Sequence, residues 1–172
     1  KMYDNAVRQG ALLDEANKRR LKVINEELSL LSVKFDNNLL AETNDFKLEL
    51  TAAECKELPK AVRDAAKVNE VDDKYIFTLH KPSLIPFLTY SQNRKLREKI
   101  YKAYLNRCNN DNDHNNSEII KDIIRLRIEK VKLLGYDSYA NYVISDQMAQ
   151  SPKAVYGLLE DIFAQANKKA KE

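Results

Sequence analysis

With 172 residues, 32% of them charged and 44% hydrophobic, the chain has the size and composition of one globular domain with enough apolar material for a single core. Three glycines and four prolines are too few for a turn-rich β fold, and a net charge of +3 gives no general attraction to nucleic acid or to membrane. Two cysteines, Cys55 and Cys108, make no disulfide framework and read as free thiols of a reducing compartment, and no apolar run approaches the ~18 residues of a membrane span.

Met2–Leu13 reads as a weak helix broken near Gly10. Asp14 then caps a long helix whose apolar positions, Leu21, Ile24, Leu28, Leu31, Phe35 and Leu39, recur in steps of three and four. The helix is expected to run to about Thr43 and to end in Asn44-Asp45. Phe46, Leu48 and Leu50 alternate with Lys47 and Glu49, the pattern of a half-buried strand. Thr51-Ala52-Ala53-Glu54 is a capping box for a short helix, and Pro59 suits the first turn of another over Lys60–Val68. Tyr75–Leu79 is the second strand. The expected fold is therefore mainly α, a multi-helix section over residues 1–172, with at most one short antiparallel strand pair at 46–50 and 75–79.

Downstream, Pro82 and Pro86 bracket a short helix and Asn93 caps the next. Residues 106–116, NRCNNDNDHNN, form an Asn/Asp loop. Ser117 starts a strong helix that sets Ile120, Ile123, Ile124, Val131 and Leu134 on one face, with Gly135 in the C′ position. Asp137 reopens the helix through Ile144. Ser151-Pro152 caps a last helix stacking Val155, Leu158, Leu159, Ile162, Phe163 and Ala166.

Sharper chemistry is testable against these elements. Asp111, Asp113, Asn115 and Ser117 stand at alternate positions, as the oxygen ligands of a calcium loop would, with Asp122 twelfth. The turn glycine is replaced by Asn116 and the terminal Glu is missing, so a solvated polar loop is the reading. Arg94, Lys95, Arg97, Lys99, Lys102 and Arg107 with Tyr101 and Tyr104, and later Arg125, Arg127, Lys130 and Lys132, have the basic and aromatic mixture of a nucleic-acid groove. Glu98, Glu118, Asp122 and Glu129 interrupt both runs, which favours solvated faces with pairs three or four residues apart. His80 is read as a capping or packing residue at a strand-to-helix handover. The nine tyrosines, among them Tyr136, Tyr139, Tyr142 and Tyr156, are read as packing with the hydroxyl at the rim. Glu26-Glu27 and Asp72-Asp73 are sequence neighbours that face different ways, and the chain shows no catalytic triad and no phosphate-binding loop.

The stretch Tyr75–Tyr104, YIFTLHKPSLIPFLTYSQNRKLREKIYKAY, with FDNNLLAETNDF at Phe35–Phe46 and IIRLRIEKVKLLGYDSYANYVISDQMAQSPKAVY at Ile123–Tyr156, resembles the M3 family of zinc metallopeptidases. Within the family it is most similar to the Dcp-like peptidyl-dipeptidase branch, then to oligopeptidase A relatives. The resemblance implies a helical, two-lobed enzyme with a deep channel, in which a zinc-bound water cleaves short unstructured peptides and releases C-terminal dipeptides. It also implies a His-Glu-x-x-His helix, where two His four residues apart share one face and the Glu serves as general base. His80 and His114 cannot supply that motif. No catalytic, cofactor-binding or metal-ligating residue is therefore assigned in this chain, and zinc is expected in a parent enzyme only.

Opening on Lys1 and closing in KKAKE, the chain is expected to be an internal section upstream of the metal helix, contributing scaffold and channel wall. Its parent is expected in the cytoplasm, with the periplasm as the alternative. No nucleic-acid or membrane partner is expected, and weak self-association through the last helix is. The rival reading is a helical interaction module that holds an acidic partner or RNA on its basic faces.

Overall fold

The computed structural model describes residues 2–66 and 74–172. Among them are nine helices and two strands: α1 (Met2–Arg8), α2 (Glu15–Asp45), β1 (Leu48–Thr51), α3 (Ala52–Cys55), α4 (Lys60–Ala66), β2 (Lys74–Phe77), α5 (Lys81–Tyr90), α6 (Arg94–Leu105), α7 (Ser117–Leu133), α8 (Tyr139–Ile144) and α9 (Pro152–Ala170). The mainly α expectation holds, and so does the single antiparallel pair. Lys67, Val68, Asp72 and Asp73, which entered the expectations above, lie outside the described residues. The chain divides into two compact units, Lys1–Leu31 with Lys121–Glu172, and Ser32–Ile120.

In the second unit β1 and β2 pair with Leu48 opposite Phe77 and Leu50 opposite Tyr75. Leu48 and Leu50 are buried while Glu49 and Thr51 face out, the alternation that a sheet with one covered face requires. The two strands lie one or two residues from the expected positions, and Glu49 reaches the Lys74 ammonium at 3.8 Å across the pair. Thr51 closes the anticipated capping box: its hydroxyl accepts the Glu54 N–H and the Glu54 carboxylate accepts the Thr51 N–H at 2.9 Å. Around the sheet, Cys55, Leu58, Leu79, Leu84, Phe87 and Ile100 complete the core. Phe77 and Phe87 meet with ring centroids 4.5 Å apart. Two strands alone are marginal in water, and these helices are what stabilise them.

Pro86 is a correction to the sequence reading, because it sits inside α5 and does not end it. An interior proline forfeits one backbone hydrogen bond. Leu84 and Phe87 on either side are 3% and 1% exposed, so tertiary burial outweighs the local penalty.

In the first unit Asp14 caps α2, accepting the Asn17 N–H at 2.8 Å. Leu21 and Ile24 are buried there with Leu126 and Val131 of α7. Arg20 grips Glu129 through two hydrogen bonds, the longer at 2.8 Å. Arg8 joins α1 to α8, pairing with Asp146 at 2.7 Å, donating to the Tyr142 carbonyl and lying 4.4 Å over the Tyr142 ring. Tyr136 and Tyr139 pack on the same ring, as the tyrosine reading expects. Tyr156 departs from that reading, since it is exposed.

Two further corrections concern helices. α7 was assigned one apolar face holding both Ile120 and Val131, whereas Ile119, Leu126 and Val131 are buried and Ile120, Ile124 and Ile128 are exposed. The helix is apolar on more than one side, and periodicity does not say which side is covered. α8 is opened by Ser138, whose hydroxyl accepts the Asn141 N–H at 3.1 Å, and not by Asp137. Gly135 ends α7 as expected, at φ +79° with the Tyr136 N–H bonded back to the Val131 carbonyl.

Gly10 has φ +97°, and a Cβ there would stand 2.7 Å from Leu21 Cδ2. Gly10→Ala should therefore lower stability by about 1–3 kcal/mol through backbone strain and overpacking, read by chemical denaturation. Gly157, in α9, has open space around it. Gly157→Ala should do the reverse, raising α9 helix stability by about 0.5–1 kcal/mol, read as helix content during thermal melting.

Candidate functional site

The polar centre of the second unit forms where residues 106–116 fold back on the end of α2. Asn38, Glu42 and Thr43 lie at steps of four and one along α2 and are all buried. The Glu42 carboxylate accepts the Cys108 backbone N–H at 2.6 Å, the Asn112 amide at 2.6 Å and the Asn110 amide at 3.0 Å. Asn116 is 1% exposed; its side chain accepts from Asn38 at 2.8 Å and donates to the Phe35 carbonyl at 3.2 Å. Arg107 completes the group, donating to the Thr43 hydroxyl at 3.0 Å with its guanidinium 3.9 Å over the Tyr104 ring. Cys108 takes φ +58° at the turn, a conformation rare for a residue with a Cβ.

The loop therefore is not simply solvated, which corrects the sequence reading. Its amides are spent on a buried carboxylate. Burial by itself pushes the Glu42 carboxyl up. The hydrogen bonds from Asn112, Cys108 and Asn110, with a smaller contribution from His114, outweigh burial and leave it below the ordinary 4.5. Asp111 and Asp113 make no such contacts and stay at the surface. Glu42 was missed by sequence reasoning, although a signal existed: it continues the Phe35, Leu39 stripe by three residues, and a carboxylate on a buried stripe needs partners. Glu57 was missed too. It accepts the Gln92 and Asn93 N–H groups at 2.7 and 3.1 Å, holding the start of α6, where Asn93 caps as anticipated.

This arrangement holds the loop on α2 through the Glu42 carboxylate. Cys55 is inert as a nucleophile, since burial pushes its thiol up to about 11, and burial also raises Cys108. His80 stands at the N-cap of α5 with no side-chain cap bond; its ring meets the Thr78 hydroxyl at 3.2 Å beside a cleft of about 490 Å³ floored by Phe77 and Pro86. Among the described residues no group of three or more His, Cys, Asp or Glu is gathered as a metal would need, and no helix is long and apolar enough to cross a membrane. The described residues do not fit a zinc site, since His80 and His114 are not gathered with each other or with a pair of carboxylates. The basic faces are partly engaged inside the chain: Arg97 donates to the Ser91 carbonyl, Lys102 pairs with Glu98 at 2.6 Å, Arg125 with Asp122 at 3.1 Å, and Arg127 lies 4.9 Å over Tyr139.

A sequence model described as peptidase family M3 matches residues 87–172. Oligopeptidase A of Haemophilus influenzae is 34% identical over 179 residues, covering 96% of this chain and 26% of the relative. The probable cytosolic oligopeptidase A of Arabidopsis thaliana is 36% identical over 160 residues, 87% of this chain and 23% of the relative. The dipeptidyl carboxypeptidase of Escherichia coli is 29% identical over 177 residues, 99% of this chain and 26% of the relative. The chain thus spans about a quarter of the length of the curated relatives it matches.

Replacing Glu42 tests the polar centre. Glu42→Gln puts an amide where three donors converge, and should cost about 1–3 kcal/mol. Because the folded carboxyl titrates below 4.5, its contribution is present above that pH and is lost as pH falls through the folded value. Denaturation curves from pH 7 to pH 3 should show wild type losing its advantage over the variant at the acid end. An advantage that stays constant with pH would mean that charge is not what the loop holds.

Proposed function

The chain belongs to peptidase family M3, and on that premise we propose that it is a section of a zinc-dependent enzyme releasing C-terminal dipeptides from short unstructured peptides. The supporting observation is the extent of the likeness: the family match covers residues 87–172, and relatives named as peptidases align with 87–99% of the chain. In this reading residues 1–172 form one helical, non-catalytic section that supplies scaffold and channel wall. The zinc and the water-activating Glu belong to another part of the parent. When bound there, zinc would supply Lewis-acid activation of water. What this chain's own residues do is hold backbone in place, Glu42 for the turn into α7 and Glu57 for the start of α6.

A second reading has an observation of its own. Identity is 34% and 36% to the two oligopeptidases A and 29% to the dipeptidyl carboxypeptidase, which supports an oligopeptidase activity on short peptides as the second reading. An interaction module for an acidic partner or RNA has less support, because Arg97, Lys102 and Arg107 are engaged within the chain. A cytoplasmic parent accords with the relative named as cytosolic and with two buried free thiols.

The test assays the full-length protein in which this section occurs, on peptides ending in a free carboxylate or in an amide. Dipeptide release should require zinc, disappear with chelator and fail on the amidated peptide, since an enzyme that counts from the C-terminus must recognise the carboxylate. Equal cleavage of both peptides would replace dipeptide release by internal cleavage, and zinc-independent or absent hydrolysis would overturn the reading. The 172-residue chain alone with added zinc should release nothing.

A further inference from the structure

α9 has 19 residues and buries none of them. Tyr156, Leu158, Leu159, Ile162 and Phe163 are 52–68% exposed, and with Val155 and Ala166 they recur in steps of three and four along one side. The rest of the described chain leaves this stripe uncovered. The start of α9 is well made, with the Ser151 hydroxyl accepting the Ala154 N–H and Pro152 at the first position. Caps fix where a helix begins, but most helical stability in proteins comes from packing an apolar face, which α9 lacks here. Contiguous apolar patches of this kind mark contact surfaces.

Resting on the reading of the chain as an M3 section, we propose that the α9 stripe is a docking face for the part of the peptidase outside this chain. Two observations select that occupant. The family match runs through the whole of α9, and the chain accounts for about a quarter of its relatives' length, so most of the surface they fold against lies elsewhere. A second copy fits poorly. Glu160 and Asp161 flank the stripe on either side at mid-helix. An antiparallel pair centred on Leu159–Ile162 brings like flanks together, setting Glu160 against the other copy's Glu160 and Asp161 against its Asp161. A parallel pair in register joins opposite flanks and sets Glu160 beside the other copy's Asp161. Either way like charges meet, which specific interfaces avoid.

The test uses a double variant, Leu159→Gln with Ile162→Gln, in two settings. One is this chain alone. The other is Escherichia coli dipeptidyl carboxypeptidase with its matched section exchanged for this chain. Glutamine keeps helix propensity, so only the apolar contact is removed. Melting of the isolated chain should be unchanged, because both side chains are already more than half exposed. Melting of the exchanged enzyme should fall by about 5 °C or more as the docked face is lost. Unchanged melting in both settings would overturn the proposal, as would an exchanged enzyme that does not fold. An isolated chain that sediments as a dimer and is split by the variant would give the face to a second copy, and would equally overturn it. An exchanged enzyme that folds, loses melting temperature with the variant, yet cuts no peptide would count against the proposed activity and leave the docking face standing.

Discussion

Glu42 is a carboxylate on the buried side of a long helix, and the second unit keeps it charged only by surrounding it with donors. Water would satisfy such a group at no cost, whereas an interior must rebuild that shell from its own chain. The shell comes from Cys108, Asn110 and Asn112. That demand explains the composition of residues 106–116, because short amide side chains reach a carboxylate without themselves carrying a charge to bury. It also explains the turn at Cys108, whose N–H must point at Glu42 even though the backbone then enters a disfavoured region. Asn116 uses the same logic one step later, bonding to Asn38 and to the Phe35 carbonyl just before α7 begins.

The same economy recurs at the other helix starts. Glu57 collects N–H groups ahead of α6, Thr51 and Glu54 close their box at α3, and Ser138 and Ser151 open α8 and α9. Each satisfies donors that a helix leaves orphaned at its first turn. The apolar core formed by Leu48, Leu50, Phe77, Phe87 and Ile100 supplies the driving force, and these polar contacts set where the chain turns around it. Caps, a small sheet and a buried carboxylate together fix where the chain turns and which surfaces it presents.

Exposed apolar residues carry the other half of the physical picture. Leu30, Val33 and Leu40 on α2, Ile120, Ile124 and Ile128 on α7, and the α9 stripe all face solvent. Single exposed leucines are ordinary on any protein, but rows at helical spacing on three helices are not.

Local order was legible in the residues. Asp14, Thr51, Asn93, Gly135 and Ser151 stand where hydrogen-bonding geometry at helix ends demands them, and the alternation of Leu48 and Leu50 marked its strand. The family could be read in the same way, since three blocks of sequence carry it without any structure. What the residues left open was decided by distant partners. Periodicity showed that α7 is apolar, but the hydrophobic effect has no direction of its own, so only tertiary packing could choose Leu126 and Val131 over Ile124 and Ile128. Pro86 reads as a helix end until the burial of Leu84 and Phe87 overrides it. The Asn/Asp loop reads as solvated because its acceptor lies some 70 residues away on α2. A sequence window shows that amides are present, and only the fold shows that a buried charge is waiting for them.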